Sequence, residues 1–213
     1  MDGVLVDSEP IHCEIERLLF AGLKIVVPEA LHQTYMGTSG DFMYADLKSR
    51  FGLPASVVEM MELDELFRYD YFNNMEEIHM NEGVLSLLTG LKAAGIKLAV
   101  ATSSSPEIAK LILARCEITS FFDAVVTASE AGKSKPEPDV YLLAAQKIGV
   151  APADCVVFED SPNGLLSAKN AGMYCVVLQP NNALMNKLSM ADHKIRSFIE
   201  ITPVKLFEIF SSR

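Results

Sequence analysis

Two patterns of apolar residues divide this chain. From residue 10 to about residue 80 apolar side chains recur at helical spacing, and no segment reads as a strand. Ile11, Ile15, Leu18 and Leu19 share one face of a helix that Pro10 opens and Gly22 closes. Further helices are predicted over Pro28 to Met36, ended at Gly37, and over Phe42 to Phe51 and Val57 to Phe72, divided by the breaker Gly52-Leu53-Pro54. Near Gly83 the pattern changes, and helices begin to alternate with short apolar runs. Strands are predicted at Lys97 to Ala101, Ala124 to Val126, Cys155 to Phe158, Tyr174 to Leu178 and around Lys194-Ile195. Helices are predicted over Val84 to Lys92 with Gly95 at C′, from the Ser105-Pro106 cap to Cys116, over Pro138 to Ile148 and Ser161 to Ala171, and over about Pro203 to Phe210.

This alternation predicts an α/β fold with a doubly wound, Rossmann-like parallel sheet. Its continuous apolar strands are expected to be buried on both faces. A helical insert over residues 11–80 interrupts an α/β core made of residues 1–10 and 81–213.

Half of the 213 residues are apolar, enough for a sizeable core, and no apolar run approaches the ~18 residues that span a bilayer. No signal or lipidation motif is visible, so a cytoplasmic location and no membrane partner are expected. The four cysteines, Cys13, Cys116, Cys155 and Cys175, are scattered and predict reduced core thiols. The formal charge of −10 without a basic run argues against nucleic acid. An anionic small molecule remains compatible if a metal, a lysine or a helix N-terminus makes a local positive site. A monomer is expected.

In open α/β sheets ligands meet the carboxyl ends of strands. The polar residues there are Asp2 at the amino end of the chain, Thr102, Ser103 and Ser104 after one strand, and Glu159 and Asp160 after another. Lys135 lies in the loop Gly132-Lys133-Ser134-Lys135-Pro136-Glu137-Pro138-Asp139, with Lys133 its rival. These types suit phosphoryl transfer. Adjacent carboxylates are hard donors for Mg²⁺, a lysine neutralises the transferring group, a hydroxyl donates to a phosphoryl oxygen, and an Asp protonates the leaving oxygen. Each residue also has a plainer role. Acids favour a helix N-terminus, serines cap and turn, and a helix histidine is commonly just packed.

Taken in order, these motifs resemble the haloacid dehalogenase superfamily, whose phosphatases and phosphomutases work through an aspartyl-phosphate. Its first motif, Asp-x-Asp-Gly-x-x-x-Asp, matches Met1-Asp2-Gly3-Val4-Leu5-Val6-Asp7 from the x onward. Thr102 resembles the second-motif hydroxyl, Lys135 the third-motif lysine, and Glu159-Asp160 the metal-binding acid pair. The run Glu159-Asp160-Ser161-Pro162-Asn163-Gly164 is similar to the subgroup of β-phosphoglucomutase and sugar-phosphate phosphatases, which carries its helical cap where this chain has its insert. The resemblance implies Mg²⁺ held by Asp2, through its backbone carbonyl, with Glu159 and Asp160. It implies acid–base work for Asp2 and substrate contacts at His12, Gly37, Ser103 and Asn163.

The family's nucleophile is the Asp before the x, and the 213 residues begin just after it. The apolar strand leading to it, a central one worth ~1.5–3 kcal/mol per buried side chain, is absent as well. A sequence that starts late at an internal Met is therefore expected, and these residues alone are expected to be inactive. In the cap loop Met36-Gly37-Thr38-Ser39-Gly40-Asp41, Gly40 stands where the mutases carry a phosphate-gripping Arg. An Mg²⁺-dependent phosphatase of a small phosphate ester, a sugar phosphate first among them, is the expected function. The alternatives are a β-phosphoglucomutase-like mutase and a non-catalytic phosphometabolite-binding protein.

Overall fold

The computed structural model describes residues 1–35, 38, 40–178 and 188–212. The chain separates into two compact units, Ser8–Glu76 and Met1–Asp7 with Glu77–Arg213.

Among its described residues the unit Ser8–Glu76 is built from helices α1 (Glu9–Gly22), α2 (Glu29–Tyr35), α3 (Gly40–Phe51) and α4 (Val57–Asn74). Pro10 sits in the first turn of α1, where its missing N–H has no intrahelical acceptor to lose. Helix α4 starts at a capping box. Ser56 Oγ accepts from Glu59 N at 3.2 Å, and Glu59 Oε2 accepts from Ser56 N at 2.8 Å. Phe20, Tyr35, Tyr44, Leu47 and Met60 form the unit's core.

The second unit holds α5 (Val84–Ala93), β1 (Ala99–Thr102), α6 (Pro106–Arg115), β2 (Ala124–Thr127), α7 (Ala128–Ala131), α8 (Asp139–Ile148), β3 (Val156–Glu159), α9 (Pro162–Asn170), β4 (Tyr174–Leu178), β5 (His193–Ile195) and α10 (Pro203–Ser211). The cap expected at Ser105 is present, and Ser161, expected as the first residue of its helix, is a cap as well. Ser105 Oγ caps α6 by accepting from Ile108 N, and Ser161 Oγ caps α9 by accepting from Gly164 N at 3.0 Å. Among the described residues β1 to β5 pair in parallel, while the isolated bridge Val6–Met80 is antiparallel. Ala99 faces Ala124 in β1–β2, Val156 faces Tyr174 in β3–β4, and Val176 faces His193 in β4–β5. The α/β fold with a parallel, doubly wound sheet is thus observed, as two pieces of two and three strands.

Strands β1 and β3 are less buried than their apolar composition predicts. Val100 and Val157 are buried, but Ala99, Ala101, Val156 and Phe158 are half-buried. The reason is a cavity of about 540 Å³, lined by Ala99–Ala101 of β1 and Val156–Phe158 of β3 together with Met1 and Phe207. Each of these strands is paired on one edge, to β2 or to β4, and its other edge faces this space. The remaining core, around Val126, Val140, Leu165, Cys175 and Val177, is closely buried. None of the four cysteines is in a disulfide; Cys116 and Cys175 are buried. Among the described residues no helix is long and apolar enough to cross a membrane.

Candidate active site

The amino-terminal motif folds as a tight turn. Met1 O accepts from Leu5 N at 2.7 Å, and Gly3 takes a left-handed φ of +65°. Asn81 ties the turn from outside, donating from Nδ2 to Gly3 O at 3.0 Å and to Val4 O at 2.8 Å. The turn brings Asp2 to the end of β1. Asp2 Oδ2 accepts from Ser104 Oγ at 2.5 Å, and Thr102 Oγ1 lies 3.4 Å from the same oxygen. Ser104 N in turn donates to Thr102 Oγ1 at 3.1 Å, which fixes the three groups together. Ser103, between them in sequence, is exposed. Ser104 is therefore the serine that touches Asp2.

Across the end of β3 the decisive pair is Lys135 and Glu159. Lys135 Nζ donates to Glu159 Oε1 at 2.6 Å, with only 12% and 4% of the two side chains exposed. Lys133 is exposed. Tyr141 OH, on α8, donates to the same Oε1, and its ring lies 4.9 Å under the Lys135 ammonium. Oε2 accepts from Asp160 N at 3.0 Å, Ser161 N at 3.2 Å and Ser161 Oγ at 3.1 Å. Gly164 is required here, because a Cβ would come within 2.0 Å of the carboxylate.

Burial disfavours ionisation of Glu159, but the charge and hydrogen bond of Lys135, helped by Tyr141, outweigh it and hold the carboxyl well below its ordinary range. Asp160 goes the other way. Burial first and the Glu159 charge second push its carboxyl up to about 7. Tyr141 is pushed well above the usual phenol range by burial and by Glu159, so it remains a donor.

An ionised acid beside one that burial and repulsion keep partly protonated is a donor set that a divalent cation would relieve. Glu159 already accepts from five protein donors, which leaves Asp160 the better placed direct ligand. Among the described residues no three His, Cys, Asp or Glu side chains gather at metal-ligand spacing, so the acid pair would share a cation with oxygens of other kinds. Asn163 stands exposed in the first turn of α9.

The other candidate positions belong to the helical unit. Gly37 lies outside the described residues, and Gly40 opens α3. His12, half-buried on α1, packs edge-on against Phe72. Its Nδ1 lies 2.7 Å from Arg68 Nη1. A guanidinium can only donate, so Nδ1 accepts and the neutral ring carries its proton on Nε2. Arg68 also donates to Asp64 Oδ1 at 2.8 Å and Glu16 Oε1 at 3.2 Å, and Glu16 Oε2 reaches His32 Nε2 at 2.6 Å. The sequence reading misses Arg68, whose partners His12 and Glu16 lie 56 and 52 residues away.

Comparisons with known proteins agree with this chemistry. The model of the haloacid dehalogenase-like hydrolases matches residues 1–178. YhcW of Bacillus subtilis is 31% identical over 214 residues, covering 100% of this chain and 96% of its own length. The phosphorylated carbohydrates phosphatase of Thermotoga maritima is 33% identical over 180 residues, 81% of this chain and 79% of that protein. A mutant of CbbY from Rhodobacter sphaeroides, solved in complex with xylulose-(1,5)bisphosphate, superposes with a TM-score of 0.83 at 26% identity, covering 97% of this chain and 96% of that one.

Proposed function

The chain belongs to the haloacid dehalogenase-like hydrolase family, and from that premise we propose that it is a divalent-metal-dependent phosphatase of small phosphorylated metabolites, phosphorylated carbohydrates in particular. The observation that carries the reading is the convergence at the ends of β1 and β3. Lys135 is held on Glu159 beside Asp160, and Asp2 is held by Ser104 near Thr102. Cation, acid and hydroxyl are the groups that a transferring phosphoryl needs. The similarity to a phosphorylated carbohydrates phosphatase supports the substrate class.

In this reading Lys135 and the Thr102 hydroxyl take phosphoryl oxygens. Asp160, with Glu159 behind it, holds the cation, Mg²⁺ by its hard oxygen donors. When bound, the cation neutralises charge on the phosphoryl oxygens. The attacking carboxylate in this reading is the first aspartate of the family motif, the position ahead of Met1. As its oxygen bonds to phosphorus and the ester P–O bond breaks, Asp2 delivers a proton to the leaving alkoxide. Water then displaces the carboxylate from phosphorus, and Asp2 takes the proton that the water gives up. In this reading the unit Met1–Asp7 with Glu77–Arg213 carries the chemistry, and the helical unit contributes substrate selectivity.

Hydrolysis is preferred to phosphate migration because a mutase must hold a second phosphate. Gly40 offers no charge, and Arg68 of the helical unit already serves Asp64, Glu16 and His12. The test follows free phosphate and isomerised sugar phosphate together. Protein with an aspartate joined ahead of Met1 is given a panel of sugar phosphates, with Mg²⁺ or with chelator. Phosphate release that chelator abolishes is expected. Isomerisation without release would promote the mutase, and binding without either reaction would promote a phosphometabolite-binding protein.

A further inference from the structure

Tyr141 has no part in the roles assigned so far, yet it touches both members of the buried ion pair. It lies on α8 with 6% of its surface exposed. Its hydroxyl donates to Glu159 Oε1, the oxygen that also accepts from Lys135 at 2.6 Å, and its ring faces the Lys135 ammonium at 4.9 Å. Tyr141, Lys135 and Glu159 thus form a closed set in which each group meets the other two.

A lysine on a flexible four-carbon stem gives up considerable rotamer freedom to hold one direction. The ring face supplies an attraction for the ammonium that needs none of its N–H bonds. The hydroxyl anchors the carboxylate on which the ammonium rests, a charge-assisted bond in a buried setting. Lys135 has three N–H groups. One goes to Glu159 and one lies 3.4 Å from Ala101 O, which leaves a third for an incoming oxyanion.

We propose that Tyr141 is a positioning residue that aims Lys135 at the substrate phosphate, using its ring for the ammonium and its hydroxyl for Glu159. The proposal rests on the reading of Lys135 as the phosphate-facing lysine. It predicts a graded series. Tyr141→Phe keeps the ring and the packing but loses the hydroxyl, whereas Tyr141→Leu loses both.

The test uses the full chain and two readouts. The first is calorimetric titration with inorganic phosphate in excess Mg²⁺. The second is competitive acetylation of lysines by acetic anhydride, mapped by mass spectrometry, with Lys135 referred to Lys147 in the same digest. Phosphate affinity should fall roughly tenfold in Tyr141→Phe, the scale of one hydrogen bond to a charged group, and further in Tyr141→Leu. The Lys135-to-Lys147 acetylation ratio should rise in the same order as the ammonium is released. A purely structural tyrosine would lower the melting temperature in both variants and leave that ratio and the phosphate affinity at wild-type values, which would overturn the proposal. Absence of phosphate binding by the wild-type chain would remove the phosphate reading instead. The acetylation ratio would still decide the positioning role, an unchanged ratio in Tyr141→Leu refuting it.

Discussion

Gly3 and Asp160 occupy space that two side chains could not share: a Cβ on Gly3 would lie 1.8 Å from Asp160 Oδ2. The turn that carries Asp2 and the acid that ends β3 therefore meet through a missing side chain. Gly3→Ala should do two things. A left-handed φ of +65° costs a non-glycine residue ~1–2 kcal/mol, and the methyl drives the Asp160 carboxylate from its place. Gly132 separates the two effects, since its φ of +88° carries the same strain while nothing lies within 4 Å of its Cβ position. Both alanine variants should melt lower. Only Gly3→Ala should weaken Mg²⁺ in a calorimetric titration, and equal metal affinity in the two would detach Asp160 from the cation.

The same carboxylate sets a pH dependence. Its folded-state pKa is raised to about 7, by burial first and by Glu159 second, so the fold favours the protonated acid. The contribution to stability is complete below the unfolded-state value of about 4 and is lost as pH rises through the folded-state value. In chelator, thermal stability should therefore fall between roughly pH 4 and pH 7. Asp160→Asn should flatten this decline, and Mg²⁺ should remove it in the wild-type chain. An identical slope in wild type and variant would assign the pH dependence to other groups.

How much of this site could be read in the sequence depends on what kind of neighbour each residue has. Thr102 and Glu159 were legible because each follows an apolar run, and a strand must deliver its last residue to the rim. The cap at Ser105 was legible because its partner lies three residues on, and Ser161 takes the same role where a helix start was expected. Spacing did not separate Lys135 from Lys133, which share one polar loop; the resemblance chose Lys135, and in the fold the buried ion pair with Glu159 sets it apart. Tyr141 lay inside the predicted helix Pro138 to Ile148 with nothing in its spacing to mark it. Asn81 meets Gly3 and Val4, and Arg68 meets His12 and Glu16, 52 or more residues away, where helical or strand periodicity carries no signal. The edges of the helical unit, expected at 11 and 80, fall at Ser8 and Glu76, because the segment from Glu77 returns beside the first turn, with Asp7 N donating to His79 O at 3.2 Å. The half-burial of β1 and β3 was not legible in their own apolar runs, and only the resemblance, with its central strand outside these residues, offered a cue to an open edge. An apolar run reports what a strand can bury, and not whether a neighbour is present.

Ser104 and Ser103 give a discriminating pair. Ser104 Oγ donates to Asp2 Oδ2 at 2.5 Å, and a hydrogen bond to a charged group contributes ~1.5–3 kcal/mol. If Asp2 moves protons, Ser104→Ala should lower phosphate release roughly tenfold or more and shift the pH–rate profile, because an unsupported carboxylate binds its proton more tightly. Ser103, exposed, should tolerate alanine with little change. Equal losses in the two variants, or none in either, would take Asp2 out of the proton-transfer role.

The cavity between β1 and β3 makes the last prediction. Ala99–Ala101 and Val156–Phe158 present two strand edges to one apolar space of about 540 Å³, and Met1 lies in its wall. An extended segment entering there could hydrogen-bond to both edges and join the two- and three-stranded pieces into one parallel sheet. Each apolar side chain that it buries would contribute ~1.5–3 kcal/mol, large against a net domain stability of ~5–15 kcal/mol. Joining four or five apolar residues ending in Phe-Asp ahead of Met1 should raise the melting temperature and slow hydrogen exchange at the amides of β1 and β3. A companion ending in Phe-Asn should be stabilised equally, because the strand is the same. The two should part in chemistry: only the aspartate offers an anionic carboxylate oxygen to phosphorus, so only the Phe-Asp protein should release phosphate from sugar phosphates. Extensions that leave exchange at β1 and β3 unchanged would show that the cavity does not accept a strand. Equal turnover in the Asp and Asn proteins would show that the attacking group lies elsewhere in the chain.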